Sequence, residues 1–200
     1  TVTDAAGTPI CDAEVTALDG YPSGTGQVLS VAATGADGTY TLTNAGLSAV
    51  VVRAQKDGFA PQVEWAREDE TTLVLSPGAM RSLLVVDERG SPVSHATVEL
   101  AGDGAATRAA TMTDADGRAR LVTEERAYVI VRARGFAHAS YEIAAPDDRD
   151  CIHRIVLGEG RTISGVVTSG DGAPVSNVTV TLRGWGPCTR YHADASVRTG

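Results

Sequence analysis

The sequence predicts an all-β protein made of tandem β-sandwiches of about 80 residues each, with a truncated third copy. Three observations predict this fold class. A segment with the same chemistry recurs three times along the chain. Short apolar runs have the period-two pattern of strands, and turn residues separate these runs about every 8–12 residues. No stretch of useful length has the apolar period of a helix.

The repeat opens on a turn and continues into a strand. Pro9, Pro92 and Pro174 are 83 and 82 residues apart, and in the first two copies an Asp and a Gly precede the proline in a D-x-x-G-x-P pattern. Asp bonds nearby backbone, Gly adopts positive φ and Pro fixes φ, so this segment is typical of a turn. In the strand that follows, pairs of apolar residues are predicted to share one face: Ala13 and Val15, Ala96 and Val98, Val178 and Val180.

Later elements of the repeat also correspond between the first two copies. The Asp-Gly pairs within residues 34–40 and 113–119 predict β-hairpins. Valine-rich strands follow, each leading into Gly-Phe-Ala, and each copy ends on a short aliphatic strand at 72–75 or 154–157. Phe59, Phe136 and Tyr40 recur at repeat positions and are predicted to belong to the cores.

The expected domains are residues 1–78, 79–159 and 160–200, with the third copy lacking about half of its strands. The linkers near 76–79 and 158–160 are short, so neighbouring sandwiches should touch and form a semi-rigid rod. The pattern predicts that the chain begins within a strand and stops within a repeat. We therefore expect it to be a fragment of a larger protein.

Composition restricts the partners. The formal net charge is -8 and there is no local basic patch, which argues against nucleic acid. No apolar run approaches the roughly 18 residues that span a bilayer. The expected partners are neighbouring units of the same chain, with an extracellular polysaccharide or a surface protein as further candidates.

The G-x-P-[IV]-x-x-A-x-V opening, the T-x-x-D-G turn and the late Gly-Phe step resemble the carboxypeptidase regulatory-like domain. This resemblance implies a transthyretin-like (prealbumin-like) sandwich, related to immunoglobulin-like folds. In metallocarboxypeptidases such a domain accompanies the zinc peptidase domain, and in large bacterial secreted proteins it occurs in tandem without a peptidase. The wider fold group also includes carbohydrate-binding modules. The resemblance thus implies a secreted or cell-surface location.

The sequence offers no catalytic constellation, and we expect neither enzyme activity nor a cofactor. It has no H-E-x-x-H, no G-x-S-x-G and no phosphate-binding loop. Cys151, His153, Cys188 and His192 leave three alternatives open: unrelated residues, a Cys151–Cys188 disulfide, or a zinc site between units. The Asp114–Gly117 segment resembles part of a calcium loop but lacks carboxylates at the first and last loop positions, so it is interpreted as a turn.

Ligand contact, if present, would use aromatic side chains that stack on a sugar ring. The candidates are Trp185, Trp65, Tyr191 and Tyr21. The favoured function is a non-catalytic structural or adhesion spacer. Its alternatives are a carbohydrate-binding module and an accessory domain of an exported zinc carboxypeptidase.

Overall fold

The computed structural model of the chain describes residues 1–19, 27–43, 50–66, 70–101, 107–144, 152–183 and 194–199. These residues form fifteen β-strands and no helix, which confirms the all-β fold class. The first six strands are β1 (Val2–Asp4), β2 (Glu14–Asp19), β3 (Val28–Ala33), β4 (Val50–Gln55), β5 (Gln62–Trp65) and β6 (Leu73–Leu75). The next seven are β7 (Ala79–Asp87), β8 (Thr97–Ala101), β9 (Thr107–Met112), β10 (Arg118–Thr123), β11 (Arg126–Arg132), β12 (Ala139–Ala144) and β13 (Ile152–Leu157). The last two are β14 (Thr179–Arg183) and β15 (Asp194–Arg198).

Strands β1–β6 form a sandwich that we name the first unit. One sheet is antiparallel with the order β3-β2-β4-β5, and the other pairs β1 with β6 in parallel. Because side chains alternate along a strand, each sheet turns one aliphatic row toward the other. The buried core comprises Val2, Ile10, Ala13, Val15, Ala17, Val50, Val52, Ala54, Leu73 and Leu75.

Strands β7–β13 form the second unit, with the sheets β10-β7-β13 and β12-β11-β8-β9. Ala96 and Val98 are fully buried, as are Ala13 and Val15 in the first unit, which confirms the predicted shared face. Phe136, Phe59 and Tyr40 pack against the cores but are only partly buried. The buried core of the second unit comprises Leu83, Val85, Val93, Ala96, Val98, Leu100, Ala119, Leu121, Ala127, Val129, Val131, Ile143, Ile155 and Leu157.

A buried threonine hydroxyl holds the opening turn of the repeat against the strand that lies beside it. Thr113 donates to the carbonyl oxygen of Val93 at 2.7 Å and accepts from the amide of Ala96 at 2.8 Å. The same pair of bonds recurs at Thr34, with Ile10 and Ala13, and at Thr199, with Val175 and Val178. A single threonine hydroxyl thus provides a hydrogen-bond partner for one backbone amide and one backbone carbonyl of the opening turn, neither of which is bonded within a strand pair.

The Asp-Gly segments are turns, but the prediction that they form hairpins was wrong. In the second unit, β9 and β10 flank the turn and belong to opposite sheets. The Asp-Gly pair specifies only the local backbone, whereas Ala119 and Leu121 after the turn bury themselves in the core from the facing sheet. Gly117 has a φ of +72°, and a Cβ there would lie 2.5 Å from the carbonyl oxygen of Val85. This crossing between sheets therefore requires glycine.

Two parts of the predicted repeat are less complete than the second unit. No strand is described over residues 39–43, where the second unit has β10, although the Tyr40 hydroxyl donates to the carbonyl oxygen of Thr71 at 2.8 Å. After the second unit, β14 and β15 form an antiparallel pair. In that segment Ile163 is 76% exposed and Val180 43% exposed, so the predicted shared face of Val178 and Val180 is not buried there. The domain boundaries stay predictions.

The first and last strands of each unit run side by side in the same direction. β1 pairs with β6 from Val2↔Leu73 to Asp4↔Leu75, and β7 pairs with β13 from Ser82↔Ile152 to Asp87↔Leu157. The chain enters a unit at the start of its first strand and leaves at the end of its last. Because these strands are parallel neighbours, the two points lie at opposite ends of the pair.

We predict that Thr34→Val destabilises the first unit by about 1–3 kcal/mol, because it leaves the buried Ala13 amide and the Ile10 carbonyl without their partner. Urea unfolding followed by Trp65 fluorescence, in a Trp185→Phe background, measures this change. The control Thr41→Val lies at an exposed position and should stay within about 0.5 kcal/mol. Equal effects of the two substitutions would contradict the role given to the Thr34 hydroxyl.

Candidate functional site at the joint between the units

The first and second units meet across a very short linker. β6 ends at Leu75 and β7 begins at Ala79, so only residues 76–78 lie between them. The linker backbone is bonded to the first unit: the amide of Ala60 donates to the carbonyl oxygen of Ser76, and the amide of Gly78 donates to that of Gly58, both at 2.9 Å. The linker is therefore held against the edge of the first unit at residues 58–61, which we name the Gly-Phe-Ala edge.

Arg108 reaches this edge from the second unit because it lies on a β-bulge. Leu100 pairs with Ala109 and Ala101 pairs with Thr107, so Arg108 has no partner across the strand pair. An extra residue of this kind bends its strand and re-aims its side chain. The Arg108 side chain is consequently turned toward the first unit.

The guanidinium of Arg108 connects the two units. Its Nε donates to the carbonyl oxygen of Pro61 at 2.6 Å, and its two terminal nitrogens donate to the carboxylate of Glu124 at 2.6 and 3.2 Å. The side chain is only 9% exposed, while that of Glu124 is 29% exposed. A buried guanidinium is costly unless it is paired and hydrogen-bonded, and here both conditions are met. The ion pair thus fixes Arg108 in the second unit so that Nε can bind the first.

Gly78 lies at a point where atoms of both units surround the backbone closely. A Cβ at this position would lie 2.5 Å from the Ala60 amide nitrogen, 2.7 Å from the carbonyl carbon of Phe59 and 2.7 Å from Cγ1 of Val122. The first two atoms belong to the first unit and the third to β10 of the second. The position therefore requires glycine because there is no space for a Cβ, and not because of its φ.

A cleft of about 590 Å³ opens beside these contacts. Polar and charged side chains on its wall bond one another or nearby backbone: the Gln55 amide donates to the Glu14 carboxylate at 2.6 Å, and Lys56 donates to the carbonyl oxygen of Asp12 at 3.1 Å. The lining residues are Asp12, Glu14, Gln55, Lys56, Asp57, Phe59 and Pro61 of the first unit, and Met80, Ala109, Ala110, Thr111, Arg120, Leu121 and Val122 of the second. The joint is thus a close contact with a groove of mixed polar and apolar lining at its side.

The structure does not gather the aromatic residues named as ligand contacts. Trp185, Tyr191 and Tyr21 lie outside the described residues. Trp65 is half-buried at the end of β5, where it is paired with Val51 of β4, itself 5% exposed. Glycan contact through these four residues stays a prediction.

The cysteine and histidine alternatives also stay open, because Cys151, Cys188 and His192 lie outside the described residues. Cys11 is an exposed free cysteine. Burial and the nearby charge of Arg81 lower the pKa of His153, and its Nε2 is buried without a hydrogen-bond partner. Within the described ranges no three His, Cys, Asp or Glu residues are placed so that they could hold a metal ion. Asp114, from the calcium-like segment, accepts bonds from the amides of Asp116 and Arg118 in its own turn.

Reasoning from the sequence missed Arg108, Glu124 and Pro61. The only signal for the joint was the short linker, which predicted that the units touch. A bulge depends on the length of the preceding loop and on strand register, so neither the outward turn of Arg108 nor its partner in the other unit could be inferred from a local pattern.

We predict that Arg108→Met lowers the free energy of unfolding of the second unit by about 1–3 kcal/mol, because three charge-assisted bonds are lost. Hydrogen exchange at the slowest amides of β7 and β11 measures the second unit by itself. Arg126→Met is the matched control, since the Arg126 side chain is 74% exposed in its pair with Glu142, and it should cost about 0–1 kcal/mol. A cost for Arg108→Met no larger than for this control would contradict the buried bridge.

We predict that Gly78→Ala separates the units while leaving each core folded, because the added methyl overlaps backbone of the first unit and Val122 of the second. The measurement is amide exchange and nuclear Overhauser contacts between Val122 and residues 59–60. Gly165→Ala is the control, since nothing lies within 4 Å of a Cβ there. Unchanged contacts in Gly78→Ala would show that the joint has more space than described.

No described segment forms a helix with the length and apolar character needed to cross a membrane. No curated protein sequence matches the chain. Among solved structures, the streptococcal ancillary pilin is similar over 80% of this chain, at 12% identity and a TM-score of 0.38. The chain spans 61% of the length of that pilin.

Two other pilins are similar at the same level. Shaft pilin SpaA from Lactobacillus rhamnosus GG is 10% identical with a TM-score of 0.33, covering 78% of this chain and 88% of its own. The minor pilin GBS52 from Streptococcus agalactiae is 14% identical with a TM-score of 0.30, covering 80% and 87%. At these scores the likeness carries no inference about function.

The family comparison is specific to the second unit. The family model of the carboxypeptidase regulatory-like domain matches residues 82–157. The match begins within β7 and ends on the last residue of β13, so it covers nearly the whole of the second sandwich with both of its sheets. Residues 82–157 of this chain are therefore similar to the carboxypeptidase regulatory-like domain.

Proposed function

We propose that this chain is a non-catalytic spacer segment of a secreted or cell-surface protein, in which sandwich units are held in line by close joints. The observation that carries the proposal is the bridge formed by Arg108. The residue as a whole is 7% exposed, and its guanidinium donates to both the Pro61 carbonyl oxygen and the Glu124 carboxylate. If the two units moved freely about their linker, a charged side chain would not be buried between them.

The path of the chain supports the same proposal. In each unit the chain enters at one end of the parallel strand pair and leaves at the other end. Residues 76–78 then lead directly into β7. Units connected in this way follow one another along a line instead of folding back. The length of such a row grows with every unit, which is the property that a spacer needs.

The partners in this proposal are first the neighbouring units and then an extracellular polysaccharide or surface protein at the distal end. The accessory role beside an exported zinc carboxypeptidase remains an alternative that follows from the family. Sequence flanking the chain separates the two, because a peptidase domain next to residue 1 or residue 200 would favour the accessory role.

We predict a single narrow distance distribution between the two units in solution. Spin labels at Thr41→Cys and Glu88→Cys, two exposed positions in different units, report it by pulsed electron resonance after the native cysteines are replaced by serine. Gly78→Ala and Arg108→Met should broaden the distribution, and Arg126→Met should not. A wild-type distribution as broad as that of the two joint variants would overturn the proposed spacer function.

A further inference from the structure

The outer face of the sheet β10-β7-β13 carries three arginines. Alternate residues of these strands form the core of the second unit, so the residues between them turn outward. On this outer side Leu84 of β7 pairs with Arg118 of β10 and with Arg154 of β13, and Arg120 pairs with Ser82. Neighbouring strands are about 4.8 Å apart and two residues span about 6.8 Å along a strand, so the three arginine Cα atoms lie within about 12 Å of one another. We name Arg118, Arg120 and Arg154 the arginine face.

The guanidiniums of the arginine face have no charge partner among the described residues. All three arginines are exposed, and every ion pair that the structure describes joins a different arginine to a glutamate. The other accessible outward residues of the three strands are uncharged, namely Met80, Ser82, Leu84, Val122, Ile152 and Val156. Three positive charges are therefore available to an anionic partner on one flat surface.

The fold does not require arginine at these positions. They are the first and third residues after the glycine at the crossing between sheets, and the residue three before the end of the closing strand. At the equivalent positions the first unit has threonines, namely Thr39, Thr41 and Thr72. These threonines are exposed although the complete second unit follows the first. A neighbouring unit in the row therefore does not cover this face.

A groove of about 390 Å³ lies beside Arg118 and Arg120. Its lining includes two hydroxyl groups, one exposed apolar side chain and one carboxylate, which belong to Ser82, Thr111, Met112 and Asp114. The carboxylate already accepts bonds from two amides of its own turn. Guanidiniums beside hydroxyl groups and an aliphatic surface suit an acidic sugar, because guanidiniums bind carboxylates in a planar fork and hydroxyls both donate and accept hydrogen bonds.

We propose that the arginine face binds an acidic polysaccharide, a glycan whose sugars carry carboxylate groups. The net charge of the chain is -8, so overall attraction does not supply this binding and the local positive face must. A single-stranded nucleic acid fits less well, since the described outward residues of the three strands include no aromatic side chain on which a base could stack. This inference rests on the proposed spacer function and names its polysaccharide partner, which lies along the side of the row of units.

Titration of the whole isotope-labelled chain with short polygalacturonate chains, followed by nuclear magnetic resonance, tests the proposal. We expect the amides of β7, β10 and β13 to shift, with an apparent dissociation constant that rises as salt is added, because salt screens exposed ion pairs. Replacing the arginine face by Arg118→Thr, Arg120→Thr and Arg154→Thr should raise this constant about tenfold or more. These substitutions introduce the residue type that the first unit already has at the equivalent positions, so the variant should fold.

The matched control makes the same change of net charge elsewhere. Arg134→Thr, Arg161→Thr and Arg198→Thr replace three exposed arginines that are not on these strands, and together they should leave the dissociation constant unchanged. An equal loss of binding in the two triple variants would show that only net charge matters, which would overturn the arginine face as a site.

Two further outcomes would contradict the proposal. A DNA duplex bound as tightly as polygalacturonate, at the same concentration of charge, would overturn the polysaccharide as the occupant. The absence of any shift with polygalacturonate would overturn the binding face itself. In that case a distance distribution between the units that is still narrow would leave the spacer function standing.

Discussion

The parallel pairing of the first and last strands is the constraint on which the rest of the structure depends. It closes each sandwich by placing β6 beside β1 and β13 beside β7. It also makes the chain leave a unit at the end opposite to its start. The next unit follows after residues 76–78, and its bulge strand then lies against the Gly-Phe-Ala edge. The joint, its Arg108 bridge and the limited space at Gly78 are consequences of this connection.

Much of the fold could be predicted because the repeat expresses local rules. Pro, Gly and Asp specify the opening turns, and the period-two spacing of Ala13 with Val15 and of Ala96 with Val98 predicts residues that are fully buried at and just before the start of β2 and β8. The Asp-Gly segments show the limit of this reasoning. A turn motif specifies the direction of a few peptides, but the choice between a hairpin and a crossing to the other sheet depends on Ala119 and Leu121 finding space in a core built from distant strands.

The joint was less predictable than the fold for the same reason. The short linker predicted contact between the units, yet Arg108 has no neighbours in sequence that indicate a buried bridge. Its burial depends on a bulge, on Glu124 beyond the next turn and on a carbonyl oxygen in the other unit. Trp65 is the opposite case. Its residue type predicted a ligand contact, but the side chain is half-buried beside Val51 on a sheet.

The same parallel strand pairs determine how the chain carries tension. A pull on its two ends moves β1 against β6, and β7 against β13, along their length, so the hydrogen bonds of a pair are sheared together instead of being opened one after another. The first unit has three paired residues in this position and the second has six. Under load the first unit should therefore be the weaker one and extend before the second, and the two units then unfold in a fixed order, which a single-molecule pulling experiment would measure as two different unfolding forces.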